Sequence, residues 1–266
     1  MSSNIFNLKR FLMLAKQHYI HNNKLLLYAT VAYIGVIFIL LTIVQMSNDR
    51  EPHSLEAFRG FIIAFVAIFG ILYTGYSFPA FRSKENTINY LMLPISVLEK
   101  FLFEFITRLS IVIILLPGLF WLTFHVQGYF FNLFTVEPFE SFSFAQAVDL
   151  GLPNQIQVHQ LESWFMTMII ALVMLGFVLP FTGGAMFSKQ PLVKTLFSVA
   201  LIVIFYVTVT YILLEPMGFG EYEPNESLWL MPHSEKGAVQ FFGTLAIIGN
   251  LVILLVAYRK LKEREV

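Results

Sequence analysis

Two ionisable side chains, Glu104 and Arg108, are the residues of this sequence best placed to do chemistry, because they lie within an otherwise apolar segment. Their spacing of four residues puts both side chains on one face of a helix. Ionisable residues inside a membrane-spanning helix are costly to bury and for that reason are often functional. We interpret the two as a buried ion pair that neutralises itself. An intramembrane enzyme that uses Glu104 is the alternative.

Other residues with reactive side chains do not fall into patterns of known catalytic sites. The sequence has no cysteine, which excludes thiolate metal sites and cysteine nucleophiles. The Gly183-Gly184 pair and Lys189 lack the spacing of a phosphate-binding loop, and no HExxH motif occurs. Ser77 and Ser110 lack the GxSxG context of a hydrolase nucleophile. We therefore expect no catalytic residue, no metal site and no cofactor-binding site in this chain.

The composition is that of an integral membrane protein. Of the 266 residues, 57% are hydrophobic and 13% are charged, and the mean hydropathy is +0.72. Soluble domains are nearer half apolar and a quarter charged. The formal net charge is zero, so no overall field indicates nucleic acid as a partner.

Six segments are apolar enough to cross a membrane, which takes about 20 residues per helix. They are residues 25–44, 58–78, 101–124, 161–182, 195–214 and 238–257. None has an Asp, Glu, Lys or Arg near its middle, which argues against a carrier driven by protons or sodium ions. The expected fold is an all-α integral membrane protein, with six transmembrane helices in one domain, residues 1–266.

Basic residues are concentrated on one side of these spans. Thirteen of the 17 Lys and Arg residues fall in residues 1–24, 79–100, 183–194 and 258–266, and three fall on the other side. Lys and Arg are enriched in cytoplasmic loops. Both termini are therefore expected in the cytoplasm, and the protein is expected in the cytoplasmic (inner) membrane.

Residues 1–24 combine four basic residues with apolar residues at roughly helical spacing. This pattern predicts an amphipathic helix that lies on the inner face of the membrane. An ordinary basic flank of the first span is the alternative, and both would be attracted by anionic lipid.

Two long segments, residues 125–160 and 215–237, are expected to be loops on the outer side. The first has no Lys or Arg but six Phe residues between positions 130 and 144, so parts of it are expected at the outer interface or over the helix ends. The second contains Pro216, Pro224 and Pro232, which argues against one long helix.

A short amphipathic helix is predicted between the second and third spans. Ser83 suits its N-cap, and Ile88, Leu91 and Met92 then share one face, until Pro94 ends the helix. That apolar face needs a partner, either the lipid surface or the groove of another protein.

The third span is expected to have a well-defined start just after Pro94. Ser96 and Glu99 have the spacing of a capping box, in which each residue's side chain bonds the other's backbone. The predicted arrangement is a surface helix, a tight turn and a membrane helix.

The run Tyr90-Leu91-Met92-Leu93-Pro94-Ile95-Ser96-Val97-Leu98-Glu99-Lys100 resembles the LxLPxSxxEk segment of ABC type-2 exporter permeases. Those subunits have six spans, cytoplasmic termini and an amphipathic helix before the first span. Their segment lies between the second and third spans, where a coupling helix contacts the nucleotide-binding subunit. The resemblance covers the whole chain in topology and residues 85–104 in sequence.

This resemblance implies the permease subunit of an ATP-driven exporter, which is not itself an enzyme. ATP and Mg²⁺ would bind to a separate ATPase subunit, and a second permease subunit, expected as a homodimer, would complete the membrane core. The coupling helix would be residues 83–94. The residues assigned to ATPase coupling are Ile88, Tyr90, Leu91, Met92, Leu93, Pro94, Ser96 and Glu99.

A pathway lined by apolar and aromatic side chains suits an amphipathic or hydrophobic substrate, such as a peptide, a lipid or a drug. A non-transport scaffold or anchoring subunit of a cell-envelope assembly is the alternative function.

Overall fold

The computed structural model describes residues 6–47, 53–92, 95–134, 138–148, 162–214 and 235–264. These residues form helices and connecting turns, with no strand among them. Six helices are long and apolar enough to cross a membrane: Asn22–Ser47, Leu55–Gly75, Val97–Phe131, Ser163–Met186, Pro191–Val209 and Lys236–Glu263. The prediction of an all-α, multi-pass membrane protein with six spans is confirmed.

The α-helices of the described residues are α1 (Leu8–Ser47), α2 (Leu55–Gly75), α3 (Lys84–Leu91), α4 (Val97–Ser110), α5 (Leu116–Phe131), α6 (Phe144–Val148), α7 (Glu162–Met186), α8 (Pro191–Leu214) and α9 (Glu235–Glu263). A 3₁₀ helix, Pro79–Arg82, precedes α3, and a π-helix, Ile111–Leu115, joins α4 to α5. The chain divides into two compact units. Unit 1 is Met1–Tyr73 with Leu93–Gly151, and unit 2 is Thr74–Met92 with Leu152–Val266.

In unit 1, α1 is a single helix from Leu8 to Ser47. The basic N-terminal stretch is therefore helical, as expected, but it is the first part of the same helix that forms the first span. The boundary near residue 24 is a change of composition and not a break in the helix.

The third span contains an irregular turn just before Pro117. The backbone N–H of Leu116 bonds to the carbonyl of Ile111, five residues back, which is the π-helical pattern. Proline has no N–H to continue the α-helical ladder, so a local adjustment is required. The hydroxyl of Tyr33 in α1 donates to the Leu116 carbonyl over 3.1 Å, which ties the first span to this turn.

The C-terminal end of the third span extends further than predicted. Residues 125–131, expected to begin the outer loop, are helical and belong to α5. Gln127 is fully buried and donates its Nε2 to Gln45 Oε1 of α1 over 2.7 Å. A buried amide needs such a partner, and here the partner lies on another helix.

The segment after α5 folds back onto that helix within unit 1. The rings of Phe139 and Phe142 pack against Phe124 with centroid distances of 5.9 Å and 5.8 Å. These two rings therefore cover part of α5 within unit 1. Nearby, burial lowers the pKa of His53, whose Nε2 donates to the Leu41 carbonyl oxygen over 3.0 Å. Residues 149–161 and 215–234, including the Pro-rich segment, lie outside the described residues.

In unit 2, α7 packs against α9 and against residues 77–82. The Asn250 side chain of α9 donates to the Ala171 carbonyl of α7 over 2.8 Å. Ser77 Oγ donates to the Phe181 carbonyl over 2.8 Å, beside Gly184. A Cβ atom at Gly184 would lie 1.9 Å from Ser77 Oγ, so glycine is what allows this close approach.

Candidate functional site

The predicted capping box at the start of α4 forms in unit 1. Ser96 Oγ accepts a hydrogen bond from the Glu99 backbone N–H over 3.2 Å, and Glu99 Oε2 accepts one from the Ser96 N–H over 2.9 Å. These bonds satisfy two of the N–H groups that a helix N-terminus leaves unpaired. The start of the third span is therefore fixed locally, as its sequence indicates.

The carboxylate of Glu99 also holds the start of α1. Its Oε1 accepts a hydrogen bond from the Asn7 backbone N–H over 2.5 Å and forms a salt bridge with Arg10 Nη2 over 3.2 Å. Asn7 in turn caps the helix, because its Oδ1 accepts from the Lys9 N–H over 3.0 Å. The Glu99 side chain is completely buried. One carboxylate thus faces two helix N-termini, each of which carries partial positive charge.

Glu104 and Arg108 lie five and nine residues further along the same helix. Arg108 Nε donates to Glu104 Oε2 over 3.1 Å, and both side chains are less than a tenth exposed. The Arg108 guanidinium lies 4.5 Å from the ring centroid of Tyr73, near the end of α2. The charges neutralise each other, and the pair joins the second and third spans within unit 1.

The side chains near this ion pair pack helices together. Phe103 packs on the rings of Phe11 and His18 in α1, at 6.2 Å and 5.1 Å. Among the residues that the structure describes, no cluster of three His, Asp or Glu side chains could hold a metal ion. Glu104 is engaged by a guanidinium that keeps its proton at all ordinary pH values, an arrangement suited to fastening helices.

The short helix predicted between the second and third spans is α3, in unit 2. It spans Lys84–Leu91, and the N–H of Met92 adds one further bond to the Ile88 carbonyl over 3.0 Å. Ile88 is 47% exposed and Met92 is 78% exposed, and their spacing of four places them on one face. We call these two residues the exposed face of α3.

Tyr90 lies on a different side of α3 from the exposed face. Its ring packs edge-on against Phe81 with a centroid distance of 5.5 Å. Thr87 Oγ1 donates to the carbonyls of Ala80 and Ser83, over 3.0 Å and 2.8 Å. α3 is therefore anchored to the preceding 3₁₀ helix on one side and presents apolar side chains on another.

The structure divides the residues that sequence reasoning assigned to ATPase coupling. Ile88 and Met92 are accessible, Tyr90 packs inward, and Glu99 is buried in unit 1. Ser96 is half-buried and caps α4. The side chain of Leu91 and the whole of Leu93 and Pro94 lie outside the described part of the chain.

Sequence reasoning missed three partners. Asn7 and Arg10 bond Glu99 from about ninety residues away, and Phe81 supports α3. No local spacing signals the first two, because they follow from the packing of α1 against α4. Phe81 stands within a Phe-Pro-Ala-Phe-Arg run that could have been flagged as a rigid aromatic turn.

Comparisons with family models, with curated proteins and with solved structures found no match to this chain. The site is therefore interpreted from its own geometry.

Proposed function

We propose that this chain is the permease subunit of an ATP-driven exporter, and that the exposed face of α3 docks on a separate ATPase subunit. The observation that carries the proposal is the combination of an anchored side and an accessible apolar face on one short helix. The other support is the resemblance of residues 90–100 to the exporter segment, at the same place in a six-span chain.

A protein groove suits α3 better than the lipid surface does. The helix begins with two exposed charged residues, Lys84 and Glu85, and its sequence KENTINYL is mostly polar. Helices that lie in a membrane interface need a broad apolar face, whereas docking in a groove needs a few apolar anchors at helical spacing. Ile88 and Met92 supply two such anchors.

In the proposed mechanism, ATP binding closes the partner ATPase and moves α3. The chain continues from α3 through Leu93 and Pro94 into α4, whose start is fixed by Ser96 and Glu99. Movement of α3 would thereby bias the spans between inward- and outward-facing packings, a change between two discrete states. ATP and Mg²⁺ belong to the ATPase, and this chain contributes no catalytic group.

The remaining features of the proposal concern placement and partners. Both termini and α3 lie on the cytoplasmic side of the inner membrane, as the distribution of Lys and Arg indicates. A second copy of the chain completes the pathway. Its apolar and aromatic character suits an amphipathic or hydrophobic substrate, such as a peptide, a lipid or a drug.

Replacing both residues of the exposed face tests the proposal. The double variant Ile88→Asp with Met92→Asp should insert into the membrane and fold normally, because both side chains are exposed, yet lose its ATPase partner. The measurement is the polypeptide content and ATP hydrolysis of the complex purified from native membranes. Lys189→Glu is the control, since it makes the same charge change at an exposed position of the loop before α8.

Two results would count against this proposal. If the wild-type chain brings no ATPase with it, the exporter has no energy source and the function fails. If the double variant retains the ATPase in the same ratio as wild type, the contact surface lies elsewhere.

A further inference from the structure

We propose that Arg264 and Phe81 form a latch that fixes α3 to the ends of α7 and α9, and that Arg264 is the positioning residue for the exposed face of α3. The latch is the pair Arg264 and Phe81 together with their partners Met186 and Tyr90. Only the identity of the docking partner rests on the proposed function, whereas the latch itself rests on contacts within unit 2.

Arg264 caps the C-terminus of α7. It follows directly after α9, and its Nη2 donates to the carbonyl oxygen of Met186 over 2.9 Å. Met186 is the last residue of α7, where carbonyl groups have no partner within the helix. The positive guanidinium is also favourable at this negative end of the helix dipole. The end of the sixth span is therefore bonded to the end of the fourth.

Phe81 joins this cap to α3. The Arg264 guanidinium carbon lies 4.7 Å from the Phe81 ring centroid, within the range of a cation–π contact. The Tyr90 ring of α3 meets the same Phe81 ring edge-on at 5.5 Å. Phe81 is only 5% exposed, so one buried ring carries both contacts.

The segment that bears Phe81 is itself held firmly on α7. Phe78 stacks on Phe81 at 6.0 Å and packs against Phe181 at 5.3 Å. Phe78 has a left-handed backbone, with φ of 50°, which is costly for a residue other than glycine and persists only where the surroundings enforce it. The preceding residue, Ser77, is held on α7 by its bond to the Phe181 carbonyl. A displacement of α3 must therefore reach α7, and through Arg264 also α9.

An arginine is required at position 264 because two contacts are made at once. Its planar guanidinium can stack on a ring and donate in its own plane, whereas a lysine ammonium is a point charge on a flexible stem. Arg264→Lys should keep the favourable charge at the end of α7 but hold the side chain less firmly on the Phe81 ring. Arg264→Ala should lose both.

The absence of cysteine from the sequence permits a direct test with spin labels. Labels would be attached to Met92→Cys and Lys262→Cys, two exposed positions of unit 2, in chains reconstituted in nanodiscs. Dilution with unlabelled chain keeps the measured distances within one copy. Double electron–electron resonance should give one narrow distance distribution with Arg264, a broad one with Arg264→Ala, and an intermediate one with Arg264→Lys.

Arg259→Ala is the matched control, because it removes the same charge from an exposed position of α9, five residues earlier in the chain. It should leave the distribution narrow. A distribution that stays narrow in Arg264→Ala, or broadens equally in Arg259→Ala, would overturn the latch. If Arg264→Ala does not fold, Phe81→Leu replaces it, and a narrow distribution there would overturn the latch equally.

A second readout separates this inference from the proposed function. ATPase association should be weaker in Arg264→Ala than in Arg259→Ala, although neither residue lies on the exposed face. If the distances respond as expected while even the wild-type chain binds no ATPase, the latch stands and the exporter function fails. If ATPase binds the wild type and all distances stay narrow, the function stands and the latch fails.

Discussion

Glu99 combines a local role with a tertiary one. Its spacing from Ser96 is sufficient to predict the capping box, because such a box involves only neighbouring residues. Its bonds to Asn7 and Arg10 depend on how α1 packs against α4, and no single-sequence pattern encodes them. The carboxylate that was assigned to ATPase coupling therefore also bonds the start of α1 within unit 1.

Glu99→Gln should destabilise the protein by about 2 kcal/mol. Hydrogen bonds to a charged group contribute roughly 1.5–3 kcal/mol each, and a buried donor left unpaired adds its own cost. The amide keeps one acceptor oxygen, so it cannot serve the N–H groups of Asn7 and Ser96 and also Arg10. The measurement is thermal unfolding of the purified protein in detergent.

Glu85→Gln is the control for this change, because Glu85 is an exposed carboxylate on α3. Glu85→Gln should unfold at the same temperature as the wild type. Equal melting of Glu99→Gln and wild type would show that the buried carboxylate does not hold the two helix starts together.

At the scale of helices, the sequence predicts the spans well and their ends less well. Apolar content is a local property, so the sequence predicts all six spans, with ends that differ by up to seven residues, at the C-terminal end of the third. The predicted span ends at residue 124, and residues 125–131 were expected to belong to the following loop. Gln127 is nevertheless buried among the helices of unit 1, where it bonds Gln45. This contact could not be predicted, because the two residues are 82 positions apart in the chain.

The role of the Gly183-Gly184 pair could not be predicted from the sequence. The pair lacks the spacing of a phosphate-binding loop, and the sequence indicates no other role. In the structure both glycines face close neighbours, since added Cβ atoms would lie 1.6 Å from Thr195 Oγ1 and 1.9 Å from Ser77 Oγ. Their role is to let α7 approach α8 and the segment before α3.

Gly184→Ala should therefore destabilise unit 2 by about 1–3 kcal/mol, as expected when extra volume is forced into a packed contact. The Ser77 backbone carbonyl, 2.9 Å from the added atom, cannot rotate away as a side chain could. The measurement is again thermal unfolding, together with protease resistance of the α7–α9 region.

Gly176→Ala in the same helix is the comparison. Nothing lies within 4 Å of its added Cβ, and alanine is the better helix former by up to about 1 kcal/mol. It should be neutral or slightly stabilising. Similar losses in both variants would mean that flexibility of α7, and not close packing, explains the glycines.

For the whole molecule, the unequal distribution of Lys and Arg is the basis for predicting its orientation in the membrane. Thirteen basic residues on one side against three on the other predict cytoplasmic termini. The placement of α3 on the cytoplasmic side depends on the same inference. An exporter whose coupling helix faced outward would have no access to ATP.

Single cysteines test this orientation, since the parent chain has none. A membrane-impermeant maleimide added to intact cells should label the Glu140→Cys protein, whose site is an exposed position of the outer loop. The Lys262→Cys protein should be labelled only after permeabilisation. Labelling of Lys262→Cys in intact cells would invert the topology and remove the basis of the proposed function.

The junction between α1 and α4 also has a consequence for biosynthesis. The bond between Asn7 and Glu99 joins residues 92 positions apart. At a synthesis rate of about 5–20 residues per second, roughly 5–20 s elapse between the emergence of the two partners from the ribosome. The start of α1 therefore has no carboxylate partner until the beginning of the third span has been synthesised, and both earlier spans precede that partner in the chain.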